Sequence, residues 1–240
     1  MFMSLRPLRF NVKLLACVLA LTASGAALAG STTLSDTPVY STSNVPANLM
    51  LALSVEYPTG TVAAYKGSSD YSSGTTYLGY FDPAKCYDYN SNTGAGYFTP
   101  VSGATGPVCT GHWSGNMLNW ALMTSLDEFR QALTGGNRSV DTTSTTVLKR
   151  SNLNSQTNIQ NFPIKILNSS SKFSPSSVIG DSNYSSLSTV YLFSYQQGSS
   201  FIISNNYTAP NKNNNNTPTV VNDGNKNFYT VYNAQVQVCV

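Results

Sequence analysis

Charge is scarce in this chain. Only 10% of its 240 residues are Asp, Glu, Lys or Arg, and there is a single histidine, His112. A Ser-His-Asp triad would have to be built on that one ring. Nothing else in the sequence marks a nucleophile for it, so a local hydrogen-bonding role is preferred. There is no Cys-x-x-Cys-His haem site, no phosphate-binding glycine loop and no His-Glu-x-x-His. The paired carboxylates, Asp127 and Glu128, are adjacent, so on a helix they point in different directions. The four cysteines show neither Cys-x-x-Cys spacing nor a neighbouring His cluster, which argues against zinc. The chain therefore reads as a non-enzyme, with no catalytic, cofactor or metal residues of its own.

Long hydrophobic runs are lacking as well. The one at the N-terminus, residues 14–23, is too short to span a bilayer comfortably. It follows Arg6, Arg9 and Lys13 and precedes the small-x-small triplet Ala27-Leu28-Ala29. Positive, apolar and small-residue regions in that order make an export signal cleaved between Ala29 and Gly30. Three of the 13 basic residues lie in it and none of the 10 acidic ones, so the mature chain is close to neutral. That balance offers nothing to a nucleic acid or an anionic membrane. Low charge with 17 glycines and 15 tyrosines suits an extracellular, β-rich or loop-rich surface.

Export places the cysteines in an oxidising compartment. Cys17 leaves with the signal. Cys86 and Cys109 flank a loop rich in Gly, Asn and Tyr and are natural disulfide partners, with two free thiols or a metal pair as the alternative. Closing such a loop stabilises by roughly 3 kcal/mol in the chain-entropy model. Cys239 is left unpaired.

The most informative tract is 111–150. It reads as one amphipathic helix followed by a short strand. Ser114 caps its start, and Gly135 and Gly136 end it, glycine tolerating the left-handed conformation found there. Met117, Trp120, Thr124, Phe129 and Leu133 fall near helical spacing, with Leu118, Leu122 and Leu126 widening the stripe. Asp127, Glu128, Arg130 and Gln131 lie outside it. Trp113, Trp120 and Phe129 are expected to be core anchors and not ligand stackers.

This tract resembles the large PilC/PilY-type tip and assembly proteins of type IV pili. Those carry W-S-G-N-x-L-N-W, found here as Trp113, Ser114, Gly115, Asn116, Leu118, Asn119 and Trp120. Their helix is matched by Thr124, Asp127 and Arg130, their G-G-x-R turn by Gly135, Gly136 and Arg138, and their T-V-L-[KE]-R strand by residues 146–150. Residues 80–87 similarly match a Y-[YF]-D-P-x-K-x-Y turn, and Asp82-Pro83 initiates a turn on physical grounds alone. The resemblance covers residues 44–150 well and the last ninety loosely.

Its implications are expectations. The fold is α+β, mixed α and β, with a divergent von Willebrand factor A-like region over 30–150 after the signal at 1–29. A nearly continuous apolar run, 48–55, suits a strand buried on both faces of a parallel sheet. The family's Asp-x-Ser-x-Ser metal motif is replaced here by Ser54-Val55-Glu56-Tyr57-Pro58, whose lone carboxylate makes Glu56 a poor hard-cation site. Residues 61–107 form an irregular, aromatic-rich insertion. It reads as cover for a sheet edge or small core, with a tyrosine binding surface as the other possibility. Residues 151–240 form an Asn/Ser-rich β region with strands at 190–195, 201–204 and 228–240 and a polar linker at 211–217.

Family members are implied to sit at the pilus tip or outer membrane, to promote pilus extension and to bind host or abiotic surfaces. Pilins or minor pilins are the implied partners, and the mature chain carries no transmembrane helix. They continue into a C-terminal β-propeller, often with a calcium loop. Neither belongs to these residues, and the unpaired Cys239 together with the strand pattern running to Val240 gives the expectation of an incomplete chain. A secreted carbohydrate- or surface-binding module unrelated to pili is the competing reading. Protein recovered from the cell envelope is expected to begin at Gly30 on N-terminal sequencing; material retaining Met1 would contradict the export signal.

Overall fold

A computed structural model describes residues 57–66, 70–91, 96–153, 158–169, 173–194, 197–207, 222–223 and 226–239. All belong to the unit Leu53–Val240. The signal, the Ala29–Gly30 junction, the 48–55 run, Glu56 and the 211–217 linker lie outside the described residues.

The described chain is mixed α and β. In order it forms α1 (Tyr57–Thr61), β1 (Lys85–Asn90), β2 (Tyr97–Thr105), β3 (Trp113–Ser114), α2 (Gly115–Leu122) and α3 (Ser125–Thr134). There follow β4 (Arg138–Asp141), β5 (Thr146–Lys149), β6 (Lys165–Asn168), a 3-10 turn (Pro175–Ser177) and α4 (Ser182–Ser185). The last four strands are β7 (Thr189–Phe193), β8 (Ser200–Ser204), β9 (Tyr229–Asn233) and β10 (Gln235–Cys239). They make a six-stranded sheet, β3-β1-β2-β10-β5-β4, and a four-stranded sheet, β6-β7-β8-β9. Pairing is antiparallel except where β10 meets β2, Val236 against Phe98.

Several expectations change here. The irregular insertion contains a hairpin, β1–β2, that sits inside the larger sheet. The single strand expected over 228–240 is two strands. Ala234 separates β9 from β10, and the two belong to different sheets. β10 therefore carries the region after residue 150 into the middle of the sheet built before it, so no sheet boundary falls at 150.

The core lies between the sheets and is largely aromatic. Phe98 of β2 stacks on Phe201 of β8 at 6.3 Å, and Trp113 of β3 meets Tyr232 of β9 edge-on at 5.2 Å. Edge-to-face and offset packing suit the ring quadrupoles. β7 and β8 read TVYLF and SFIIS, runs of β-branched and aromatic residues that fit a pleated, buried surface. Cys86 and Cys109 are joined, with Cα atoms 5.6 Å apart, tying β1 to the turn before β3. Cys239 pairs through its backbone with Thr146 at the end of β10.

The expected single helix is two. Met123 and Thr124 are both extended, and Ala64 N–H donates to the Met123 carbonyl while Ser125 N–H donates to that of Val62. A strand-like contact with the segment after α1 thus interrupts the helix. Every residue of α2 is buried, so it is an internal helix and not an amphipathic one. The apolar stripe does not continue into α3: Phe129 and Leu133 are 51% and 45% exposed. Phe129 is not a core anchor. Trp113 and Trp120 are.

Trp120 packs on Tyr71 at 5.6 Å and carries the Lys165 ammonium 4.7 Å above its ring. Trp120→Ala is expected to cost about 3–5 kcal/mol in urea unfolding. A variant as stable as the parent would place the indole outside the core.

Candidate functional site

Helix α2 begins where the sequence places it. The Ser114 hydroxyl accepts the Met117 N–H at 3.3 Å. Gly115 then brings the helix against the turn before β1. A Cβ there would lie 2.2 Å from the Asp82 carbonyl oxygen, so no larger residue fits without moving backbone.

The two asparagines of α2 face the same segment. Asn116 accepts from Tyr77 N–H at 2.8 Å and donates to the Thr75 carbonyl at 2.9 Å and the Tyr71 hydroxyl at 3.1 Å. Asn119 accepts from Phe81 N–H at 3.1 Å and donates to the carbonyls of Tyr77 and Phe81 at 2.8 and 2.7 Å. Residues 71–81 form no helix or strand, yet Tyr71, Tyr77, Tyr80 and Phe81 are buried. The two amides supply the hydrogen bonds that a buried irregular backbone needs. Leu118 is fully buried beside them.

Helix α3 starts with a reciprocal cap. Thr124 Oγ1 accepts from Asp127 N–H, and the Asp127 carboxylate accepts from Thr124 N–H. The carboxylate also takes Thr124 Oγ1–H at 2.8 Å, Ser151 N–H at 2.9 Å and the Ser151 hydroxyl at 3.3 Å. Asp127 is thus fully buried, contrary to its place outside the sequence stripe. Gly135 ends α3 with φ 75°, as expected, and Gly136 N–H donates to the Arg130 carbonyl. The G-G-x-R element runs directly into β4, where Arg138 pairs with Asp141 at 2.9 Å in solvent.

Sequence reading missed two buried cations. Arg150, which follows β5, donates through Nη2 to the carbonyls of Gly198 and Ser200 on the other sheet. Its Nε and Nη1 make no hydrogen bond, and burial pulls its pKa down to about 10, against the opposing pull of Asp127. Lys165 donates to the Tyr65 carbonyl at 2.6 Å, and burial lowers its pKa to about 8. The spacing Thr124-x-x-Asp127 was the available signal for the cap. Nothing local marks Arg150 or Lys165 as internal.

Two clefts open on this framework. One, of about 480 Å³, lies between α3, the 78–83 turn, β1 and the end of β10. Leu78, Phe81, Pro83 and Val238 give it apolar walls, and Glu128 lines it. Glu128 Oε1 is shielded and without a hydrogen bond. Burial first, then the charge of Asp127, raises the pKa to about 7. The other, of about 620 Å³, is lined by Tyr89, Trp113 and Tyr232 with Asp88 and Asp181. Both of its carboxylates are engaged. His112 Nδ1 sits 2.7 Å from Asp88, the local role expected of it, and Asp181 takes the Tyr232 hydroxyl and caps α4 through Asn183 N–H. Among the described residues no cluster of His, Cys, Asp or Glu could hold a metal ion. What the geometry offers is a rigid frame with clefts suited to binding.

Lys165 also makes the frame's stability depend on pH. An unfolded lysine titrates near 10.5, the folded one near 8. Below pH 8 both are charged and the cost of burying the charge is at its full value. Between 8 and 10.5 the unfolded chain binds more protons, so stability rises with pH. In urea unfolding with the disulfide intact, the parent is expected to gain up to about 3 kcal/mol relative to Lys165→Met across that window. Comparison with the variant cancels the buried tyrosines, whose raised pKa values act in the opposite direction above pH 10. Parallel profiles for the two proteins would contradict the buried, shifted lysine.

A family model described as the PilY1 homolog small alpha/beta domain matches residues 68–217. A type IV pilus biogenesis factor PilY1 homolog from Xylella fastidiosa is 37% identical over 154 residues, 58% of this chain and 12% of that protein. A second of the same name and organism is 40% identical over 76 residues, 32% of this chain and 5% of that protein. The chain therefore spans only a small part of the length of these relatives. No solved structure matches it. With the family model covering more than half of its length, across β1, β2 and the α2–α3 frame, this chain belongs to the PilY1 homolog family and carries its small alpha/beta domain over residues 68–217.

Proposed function

We propose that this chain is an exported type IV pilus assembly and adhesion factor, working at the cell surface and pilus tip. One observation carries the reading. The residues that tie α2 to the 71–81 segment are those of the pilus-family tract, and relatives of the chain are named type IV pilus biogenesis factors. The chain acts by binding: pilin or minor pilins on one side, a host or abiotic surface on the other. It carries out no chemistry and holds no cofactor, and a family calcium loop would belong to other residues. Among the described residues no helix is long and apolar enough to cross a membrane.

The von Willebrand A-like part of the proposal rests on residues 48–56, which lie outside the described ones. The antiparallel sheets lend it no support, since that architecture is built on parallel strands. A carbohydrate-binding module draws little support from the aromatic loop, because Tyr77, Tyr80, Phe81 and Tyr87 are spent in the core.

Deleting the gene is expected to remove surface pili, counted by electron microscopy, and to abolish twitching, with both restored by the intact gene. Normal piliation in the deletion strain, with loss of glycan binding alone, would favour the carbohydrate module and reject the pilus reading.

A further inference from the structure

The cleft beside α3 holds a carboxyl group, Glu128, with no ion pair among the described residues. Asp82 and Lys85, at its rim, lie 3.4 Å apart and offset one another. Its other polar walls, Gln131 and Gln237, are neutral. That leaves Glu128, whose ionised form is disfavoured by burial and then by Asp127, and whose Oε1 is shielded with no hydrogen bond among the described residues. The second cleft differs, because its carboxylates already have partners.

The mouth of this cleft is apolar. Leu78 is 62% exposed and Val238 37%, and Pro83 lies in the same wall. Exposed aliphatic walls leading to an unmatched carboxylate suit a long side chain with a cationic end. Such a side chain buries its methylenes along apolar surface while its head reaches a polar group. The volume, about 480 Å³, is within the range of small-ligand sites and ample for one side chain.

We propose that this cleft receives a lysine or arginine side chain presented by a partner polypeptide, its stem against Leu78, Pro83 and Val238 and its head at the Glu128 carboxylate. The positive head would stabilise the ionised form of Glu128 that burial and Asp127 disfavour. Charge complementarity selects the occupant: an uncharged stem of equal length would fill the walls and leave the carboxylate as it was. The proposal stands on the cleft alone and does not depend on the pilus reading, so its failure would leave that reading untouched.

The test uses the full chain with its disulfide intact at pH 8. Nα-acetyl-lysine N-methylamide and its arginine counterpart are titrated calorimetrically against the norleucine analogue. The cationic probes are expected to bind about tenfold or more tightly than norleucine. Glu128→Gln, which keeps the shape, should reduce them to the norleucine level. In the parent protein, saturating lysine probe should lower the Glu128 carboxyl titration midpoint, followed by carbon NMR, by about one pH unit or more, the linked equivalent of tenfold. Asp82, Asp127, Lys85 and the Tyr65, Tyr80 and Tyr87 hydroxyls face the same region and are followed in parallel. Equal binding of norleucine, unchanged binding by Glu128→Gln, an unmoved Glu128 titration, or no saturable binding of any probe in the millimolar range would each overturn the proposal.

Discussion

Two side-chain amides let an irregular segment join the interior of this protein. The 71–81 segment supplies several of its buried rings but has no helix or strand to absorb its backbone polar groups. Leaving such groups unpaired away from water costs about as much as a lost hydrogen bond each. Asn116 and Asn119 meet five of those backbone groups from one face of α2. The burial of α2 on all sides, the close approach at Gly115 and the absence of charge from that helix follow from this task. A leucine of similar size at either position would fill the volume and strand the backbone it faces.

The scarcity of charge gains meaning from where the charges lie. Asp127, Arg150 and Lys165 are all inside. Asp127 is stabilised by donors from two elements far apart in sequence, and so welds the start of α3 to the residues after β5. Arg150 reaches from one sheet to carbonyls at the start of a strand in the other, with Phe162 5.9 Å from its guanidinium. The charge of Asp127 favours the charged form of Arg150, so removing Asp127 would raise the cost of burying the guanidinium. Of the three, Arg150 is the one that reaches toward the second sheet.

Local chemistry was legible in the sequence and long-range placement was not. The caps at Ser114 and Gly135, the Asp82-Pro83 turn, the Cys86–Cys109 bridge and the strands beginning near 146, 190 and 201 all depend on neighbouring residues, and each is present. The break at Met123–Thr124 was hidden because the apolar spacing runs through it, and the segment that interrupts it lies some sixty residues earlier. Phe129 and Leu133 kept helical phase but sit on a helix that turns that face to solvent. All four side chains of β4 are exposed, and β6 alternates in burial but turns Lys165 inward, so neither four-residue strand shows an apolar alternation. The change of sheet at Ala234 leaves no mark on a run that alternates well enough to read as one strand.

That change of sheet bears on when the fold can form. β10 occupies an interior slot of the larger sheet, between β2 and β5, and Val236 sits against Phe98 across a long stretch of chain. As a ribosome delivers the polypeptide from its N-terminus, β1, β2, β4 and β5 emerge with a gap between β2 and β5. The gap closes only when residues 235–239 arrive. Contacts of such long separation fold slowly and leave strand edges open meanwhile. The order of strands thus delays closure of the larger sheet until β10 has emerged.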